Sequence, residues 1–232
     1  ANLQSEITPP QQTQQMQFIV PTELVELPTK GLFYDEGHPL HHAETIEIKH
    51  MTTKEEDILT NESFIKNGTV LDRVLQSLIV DNKIRVKDLF VGDKNALLVA
   101  SRIYGYGPEY KSSIRCPSCR TVSEHQINLQ DLEHTPFEEN VATHGVEVDY
   151  NSKSLFLTIP RNEVKLELRL LKEEKQTQKN KKTGLVDLYK RIIKSVNGNS
   201  SPVYIECPEC STVSKVEVPL NAEFFWPDAE VY

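Results

Sequence analysis

Apolar residues recur at two different periods along the chain, and the change between them divides it. Between residues 61 and 105 the period is helical. In TVLDRVLQSLIV, the residues Val70, Leu71, Val74, Leu75, Leu78 and Ile79 keep the three-and-four spacing of a single apolar stripe. In KNALLVASRIY, Ala96, Leu97, Ala100 and Ile103 do the same, with Asp93 expected as the cap and Gly105 as the stop. Together these helices predict a small packed bundle. Upstream, TIEIKHM alternates apolar with polar residues as a half-buried strand does, and Thr52 or Thr53 is positioned to cap KEEDILTN, with Glu55 and Glu56 in the first turn. Before that strand, Pro21 and Pro28 forbid a continuous helix over residues 18–50. KGLFYDEGHPLHH, rich in turn formers, predicts an irregular loop.

From residue 109 the period falls to two. EYKSSIRCPSCRTVSEHQINL predicts strand, knuckle and strand, and PVYIECPECSTVSKVEVPL predicts the same again near the other end. Between them, GVEVDY, SLFLTIP and EVKLELRLLK predict three further strands, the last clearest because Val164, Leu166, Leu168 and Leu170 alternate with charges. KEEKQTQKNKKTG predicts a solvated connector, and GLVDLYKRIIKSV a short amphipathic helix ended by Asn197-Gly198. The pattern is therefore α+β. It divides into a polar, Gln-rich arm at 1–17, extended segments and helices at 18–108, a β-rich region at 109–220, and an aromatic tail at 221–232. The arm has too few apolar residues to offset the entropy of ordering it alone. Phe224, Phe225 and Trp226 predict either a docked tail or an anchor for a partner.

The two knuckle segments are an internal repeat. IRCPSCRTVSEHQINL and IECPECSTVSKVEVPL share Ile-x-Cys-Pro-x-Cys-x-Thr-Val-Ser, followed by alternating residues. A Cys-x-x-Cys turn aims two sulfurs at one point, and Pro117 and Pro208 pre-set its dihedral. Two such turns supply the four soft ligands of a tetrahedral site. Cys116, Cys119, Cys207 and Cys210 are thus the candidate ligands of one structural zinc, in a zinc-ribbon-like part. An iron held by the same four thiolates has the same sequence signature. Four thiolates close the shell and leave no position for substrate, so the expected role is structural. Two features depart from the common ribbon. The 87 residues at 120–206 form a long insertion that must carry structure of its own, and Arg120 and Ser211 stand where knuckles often have glycine. A redox pair fits less well, because catalytic Cys-x-x-Cys sits at a helix start and these lie between strands.

Composition narrows the reading further. The 26 Lys and Arg against 34 Asp and Glu give a net charge of −8, which disfavours broad binding to phosphate backbones. No apolar run approaches the ~20 residues that span a bilayer. The amino-terminal stretch has neither the basic nor the apolar part of a secretory signal, so the expected compartment is reducing and the cysteines are expected as thiolates. No HExxH, GxSxG, Walker loop or GxGxxG occurs. His38, His41 and His42 fall in one loop without a carboxylate at diagnostic spacing, and read as surface groups. Glu55, Glu56 and Asp57 read as a solvated helix face rather than a catalytic pair. Tyr104, Tyr106 and Tyr110 read as packing or protein contacts rather than base-stacking platforms. No catalytic constellation emerges, and no small-molecule substrate is expected.

Several segments carry a family pattern. These are VPTELVELPTKGLFYDEGHPL, TIEIKHMTTKEEDILT, and FVGDKNALLVASRIYGYGPEY leading into CPSC. Within them stand the Pro-Thr-x-Gly-x-Phe-Tyr loop at 28–34, Glu-Gly-His-Pro-Leu at 36–40 and Asp57-Ile58-Leu59-Thr60. Over roughly residues 18–130, and more loosely at the second knuckle, the chain resembles the baseplate hub subunit family of T-even-like contractile-tailed bacteriophages. The resemblance implies a non-enzymatic structural subunit or assembly factor of the hub or wedge region. Its partners would be other baseplate and tail subunits, and its location the virion tail after assembly in host cytoplasm. The competing expectations are a nucleic-acid-binding zinc ribbon, which predicts a basic aromatic face beside the metal, and a lytic enzyme, which predicts convergent carboxylates in a cleft.

Overall fold

The computed structural model describes residues 20–132, 146–149, 151–152, 154–159, 164–168, 202–218 and 220–225. The Gln-rich arm, the connector, the helix expected at 184–196 and Trp226 lie outside these residues. The α+β expectation holds. In chain order come β1 (Thr22–Glu26), β2 (Thr45–Lys49), α1 (Thr53–Leu59), α2 (Glu62–Lys66), α3 (Val70–Leu78), α4 (Val91–Tyr106), β3 (Glu109–Arg115), β4 (Val122–Asn128), β5 (Val146–Asp149), β6 (Ser154–Ile159), β7 (Val164–Leu168), β8 (Pro202–Glu206) and β9 (Val213–Glu217). Among the described residues every strand pairing is antiparallel: β1 with β2, β3 with β4, β8 with β9, and β5, β6 and β7 as a meander. The meander occupies part of the long insertion, as the alternating pattern required.

The helical stripe becomes the centre of the core. Val70, Val74, Leu75, Leu78 and the following Ile79 are buried. They meet Val25, Ile46 and Ile48 from the inward face of β1 and β2, and Leu97 and Leu98 from α4. The same cluster takes in Tyr110 and Ile127 from the first knuckle hairpin, Ile205 from the second, and Phe224 and Phe225. Both phenylalanines are fully buried, with Phe224 against Tyr110 at 5.3 Å between centroids, so that part of the tail is docked. Among the described residues no helix is long and apolar enough to cross a membrane.

The loop at 28–43 is irregular but built around a buried polar knot. Phe33, Tyr34 and Leu40 are buried. Asp93, fully buried, accepts hydrogen bonds from the Thr29 N–H at 3.1 Å, the Thr29 hydroxyl at 2.7 Å and the Tyr34 hydroxyl at 2.6 Å. The Phe90 N–H donates to the Tyr34 oxygen at 3.2 Å. Gly31 has φ +69°, and a Cβ there would stand 2.4 Å from both Ala43 N and Leu40 O. Only glycine lets the loop close on itself. Burial pushes the Asp93 carboxyl up, its three donors offsetting this only in part, and burial beside Asp93 raises the Tyr34 hydroxyl far above its ordinary range. Asp93→Ala removes the acceptor that three buried donor groups share. It is expected to cost about 2–4 kcal/mol, read as a lower urea midpoint at unchanged slope.

Three local expectations are corrected. Asp93 is not a helix cap: Phe90 holds that position, and the helix begins earlier than the apolar pattern indicates. Asp93 serves instead as the acceptor for the loop, still within the first turn where negative charge suits the helix dipole. Gly105 is not the stop. Helix α4 runs through it to Tyr106 and ends at Gly107, whose φ of +85° is the left-handed value. Gly105 is small for a different reason, since a Cβ there would lie 3.1 Å from Met51 Sδ. Glu55 does not belong to a solvated face. It is buried, and takes the Thr52 N–H at 2.9 Å, the Thr52 hydroxyl at 2.6 Å and the Ser77 hydroxyl. Burial alone would raise its carboxyl, but the Ser77 and Thr52 donors outweigh it and hold the group below its usual value. Thr52 is the cap, as one of the two expected threonines.

Candidate metal centre

Each knuckle is the tip of a two-stranded hairpin. In the first, the Cys116 N–H donates to Thr121 O at 2.9 Å and the Arg120 N–H to Cys116 O at 3.0 Å. In the second, the Cys207 N–H donates to Thr212 O at 3.0 Å and the Ser211 N–H to Cys207 O at 2.9 Å. The two turns are the same device, as the sequence repeat implied. Arg120 and Ser211 take φ values of +64° and +54°, the left-handed conformation for which glycine is usual. The turn geometry therefore survives without glycine, at the cost of strain in both knuckles.

The four cysteines converge. Cys116 Sγ lies 3.6 Å from Cys210 Sγ, and Cys119 Sγ lies 3.6 Å from Cys207 Sγ, so the first cysteine of each knuckle faces the second of the other. All four sulfurs fall within 4.8 Å of one another. Cys116 and Cys207 are buried, while Cys119 and Cys210 are exposed, and none is disulfide-bonded. Among the described residues this is the one group of three or more metal-ligating side chains brought together. The histidine loop does not assemble such a group. His38 stacks on Tyr34 and His41 Nδ1 lies 2.8 Å from Tyr34 O, so these rings pack the loop.

The surroundings of the cluster act on its thiols in opposite directions. The Thr212 hydroxyl and N–H favour the Cys210 thiolate and bring that group down to about 6. Thr121 lowers Cys119 in the same way. Backbone N–H groups of Glu209 and Cys210 favour the Cys207 thiolate too, yet burial and the neighbouring Cys119 and Cys210 sulfurs outweigh them and push it up to about 11. Four like charges within this space repel, so protons leave stepwise from the group as a whole. A divalent cation reverses that balance. Zinc–sulfur bonds of ~2.3 Å place tetrahedral sulfurs about 3.8 Å apart, which fits the spacing found here.

Sequence reasoning missed two parts of this region. Thr121 and Thr212 serve the sulfurs, and their signal was in view as the shared Cys-x-Thr of the repeat. Arg102 is the larger omission. It is 1 % exposed in the middle of α4. It donates from Nη1 to Gly107 O at 2.9 Å, from Nη2 to Glu109 O at 3.2 Å and from Nε to Phe224 O at 3.2 Å. One side chain thus joins the helix end, the base of the first knuckle hairpin and the docked tail. Of the three tyrosines, Tyr110 is buried, Tyr106 lies 5.1 Å beneath the Arg102 guanidinium, and Tyr104 stacks on His50. Tyr110 and Tyr106 therefore pack within the protein, while Tyr104 remains exposed against His50.

No curated protein and no solved structure matches the chain. A family model described as T4 bacteriophage base plate protein matches residues 22–199, a span that includes Cys116 and Cys119 and stops before Cys207. With more than half of its length matched, the chain belongs to the T4 bacteriophage base plate protein family.

Proposed function

We propose that the protein is a non-enzymatic structural subunit or assembly factor of a contractile phage tail baseplate, in its hub or wedge region. In this reading Cys116, Cys119, Cys207 and Cys210 hold one zinc. The observation that carries it is the convergence of four sulfurs from two hairpins, the two cysteine pairs standing 88 residues or more apart in sequence. Zinc supplies a closed tetrahedral shell, and so rigidity rather than reactivity. The chain supplies the donors: two turns that aim the sulfurs, and two threonines that favour their charged form. The two hairpins then form the halves of a zinc ribbon whose insertion contains the β5–β7 meander. Iron in place of zinc would leave the mechanical role unchanged.

A rigid block suits a subunit whose work is to hold neighbours in place. Its partners are other baseplate and tail subunits, its location the virion tail, and its assembly takes place in host cytoplasm. The net charge of −8 speaks against a nucleic-acid partner. The test is co-sedimentation. In lysates of infected cells the chain is expected to travel with baseplates or their intermediates. If it stays at the top of the gradient as a free monomer throughout assembly, the proposal fails.

The ligand chemistry gives a pH prediction. Binding needs thiolates, so protons compete with the metal. The Thr212 donors bring Cys210 down to about 6, so competition from a proton there grows as the pH falls through that range. Cys207 is pushed up to about 11, so a metal bound there would have to displace its proton. Zinc binding at pH 7 is therefore expected to release protons, and affinity to fall as pH drops, steepening below about pH 6. Competition with a chromophoric chelator across pH 5 to 8 checks it.

A further inference from the structure

The β1–β2 sheet has two edges, and the protein treats them differently. Beyond β2, the Val80 N–H donates to Glu47 O at 3.1 Å and Ile48 bridges Ile79. Beyond β1, among the described residues, no strand follows. The register decides which groups β1 turns outward. The Leu27 N–H donates to Glu44 O and the His50 N–H to Pro21 O, which marks the hydrogen-bonded pairs of the ladder. Glu23 and Val25 are in phase with these and bond inward. The N–H and C=O groups of Thr22, Leu24 and Glu26 therefore point away from β2. Among the described residues they meet no partner.

The side chains on this edge have a consistent character. Val25 faces the core, while Leu24 lies on the opposite face at 66 % exposure, the second most exposed large apolar side chain among the described residues. On the Leu24 face Glu26 and Glu47 are exposed beside Lys49, and on the opposite face of the same strand Glu23 is exposed with His50 Nε2 at 3.4 Å. The strand holds no proline, lysine or bulge, and its shortness and the charges of Glu23 and Glu26 are what guard the edge against indiscriminate pairing.

We propose that the outer edge of β1 is completed by an extended segment of a different subunit, adding a strand through Thr22, Leu24 and Glu26. The partner segment carries an apolar residue over Leu24 and Lys or Arg toward Glu23 and Glu26, the two exposed carboxylates of β1 itself. The hydrogen-bond phase demands an extended chain, since only that conformation meets outward groups two residues apart. The charge demands a basic one. A second copy of β1 would bring its own Glu23 and Glu26 against the same carboxylates, so self-pairing is opposed. That the partner is a tail subunit rests on the baseplate reading.

A photo-crosslinking amino acid placed at Leu24 in infected cells tests this, with co-sedimentation of the unmodified chain read alongside. The expected result is one adduct, to a Lys- or Arg-containing extended segment of another tail subunit. Leu24→Pro, which removes an outward donor but no β1–β2 bond, should lower incorporation into particles at least tenfold, with the thermal midpoint nearly unchanged. Leu24→Glu, which keeps the donor and adds like charge, should lower it as well. If the chain enters particles but position 24 yields no adduct, or yields one to a second copy or to its own residues 1–19, the edge proposal falls and the baseplate reading stands. A chain that never enters particles overturns both.

Discussion

Cys119→Ser is expected to weaken metal binding severely without unfolding the protein. One thiolate of four is lost, and zinc affinity should drop by about three orders of magnitude, or about 4 kcal/mol. The fold should persist because neither hairpin depends on the metal alone. Tyr110, Ile127 and Leu129 anchor the first in the core, and Ile205 anchors the second. What is lost is the clip between their tips. Amide exchange should accelerate over 202–206 and 213–217, while α3 and α4 keep their protection. The helical circular dichroism should stay near that of the parent chain. Assembly into baseplates should fail, since a loosened block no longer presents fixed surfaces.

Arg102→Ala is expected to damage the fold itself, by about 3–5 kcal/mol. The substitution strands the buried carbonyl of Phe224, takes the donor from the half-buried carbonyls of Gly107 and Glu109, and leaves a cavity the size of a guanidinium. The urea midpoint should fall accordingly. Near-ultraviolet circular dichroism should lose the aromatic signal of Phe224, Phe225 and Tyr110 before the helical signal goes, because the tail is held from one side by this arginine. Arg102→Lys should recover only part of the loss, since one ammonium cannot reach three carbonyls in the geometry of a planar fork. Zinc binding should survive both changes, because the knuckle tips lie at the far end of the hairpin from Glu109.

The contrast between these two sites shows what a sequence discloses. The knuckles were legible because their device is local. Cys-Pro-x-Cys between alternating strands encodes its turn within five residues, and the repeat announces that two turns belong together. The strands and the α3 stripe were legible for the same reason, since period reports which face is buried. The polar knots were not. Thr29 meets Asp93 across 64 residues, and Arg102 meets Phe224 across 122. Nothing near Asp93 distinguishes a buried acceptor from a helix cap, and both roles place an aspartate at a helix start. Glu55 was misread likewise: three consecutive acids indicate solvent, yet Ser77 waits on the neighbouring helix for one of them. Between Gly105 and Gly107 the pattern offers two stops, and only the backbone shows which is left-handed.

The central claim is that one metal ion, held by four sulfurs, locks two distant hairpins together. X-ray absorption at the zinc edge, on protein purified from its native assembly without added metal, addresses it directly. The account predicts one zinc per chain with four sulfur scatterers at ~2.3 Å and no nitrogen or oxygen in the shell. Folded protein that contains no metal, and whose four thiols all react freely with a thiol reagent, would contradict it.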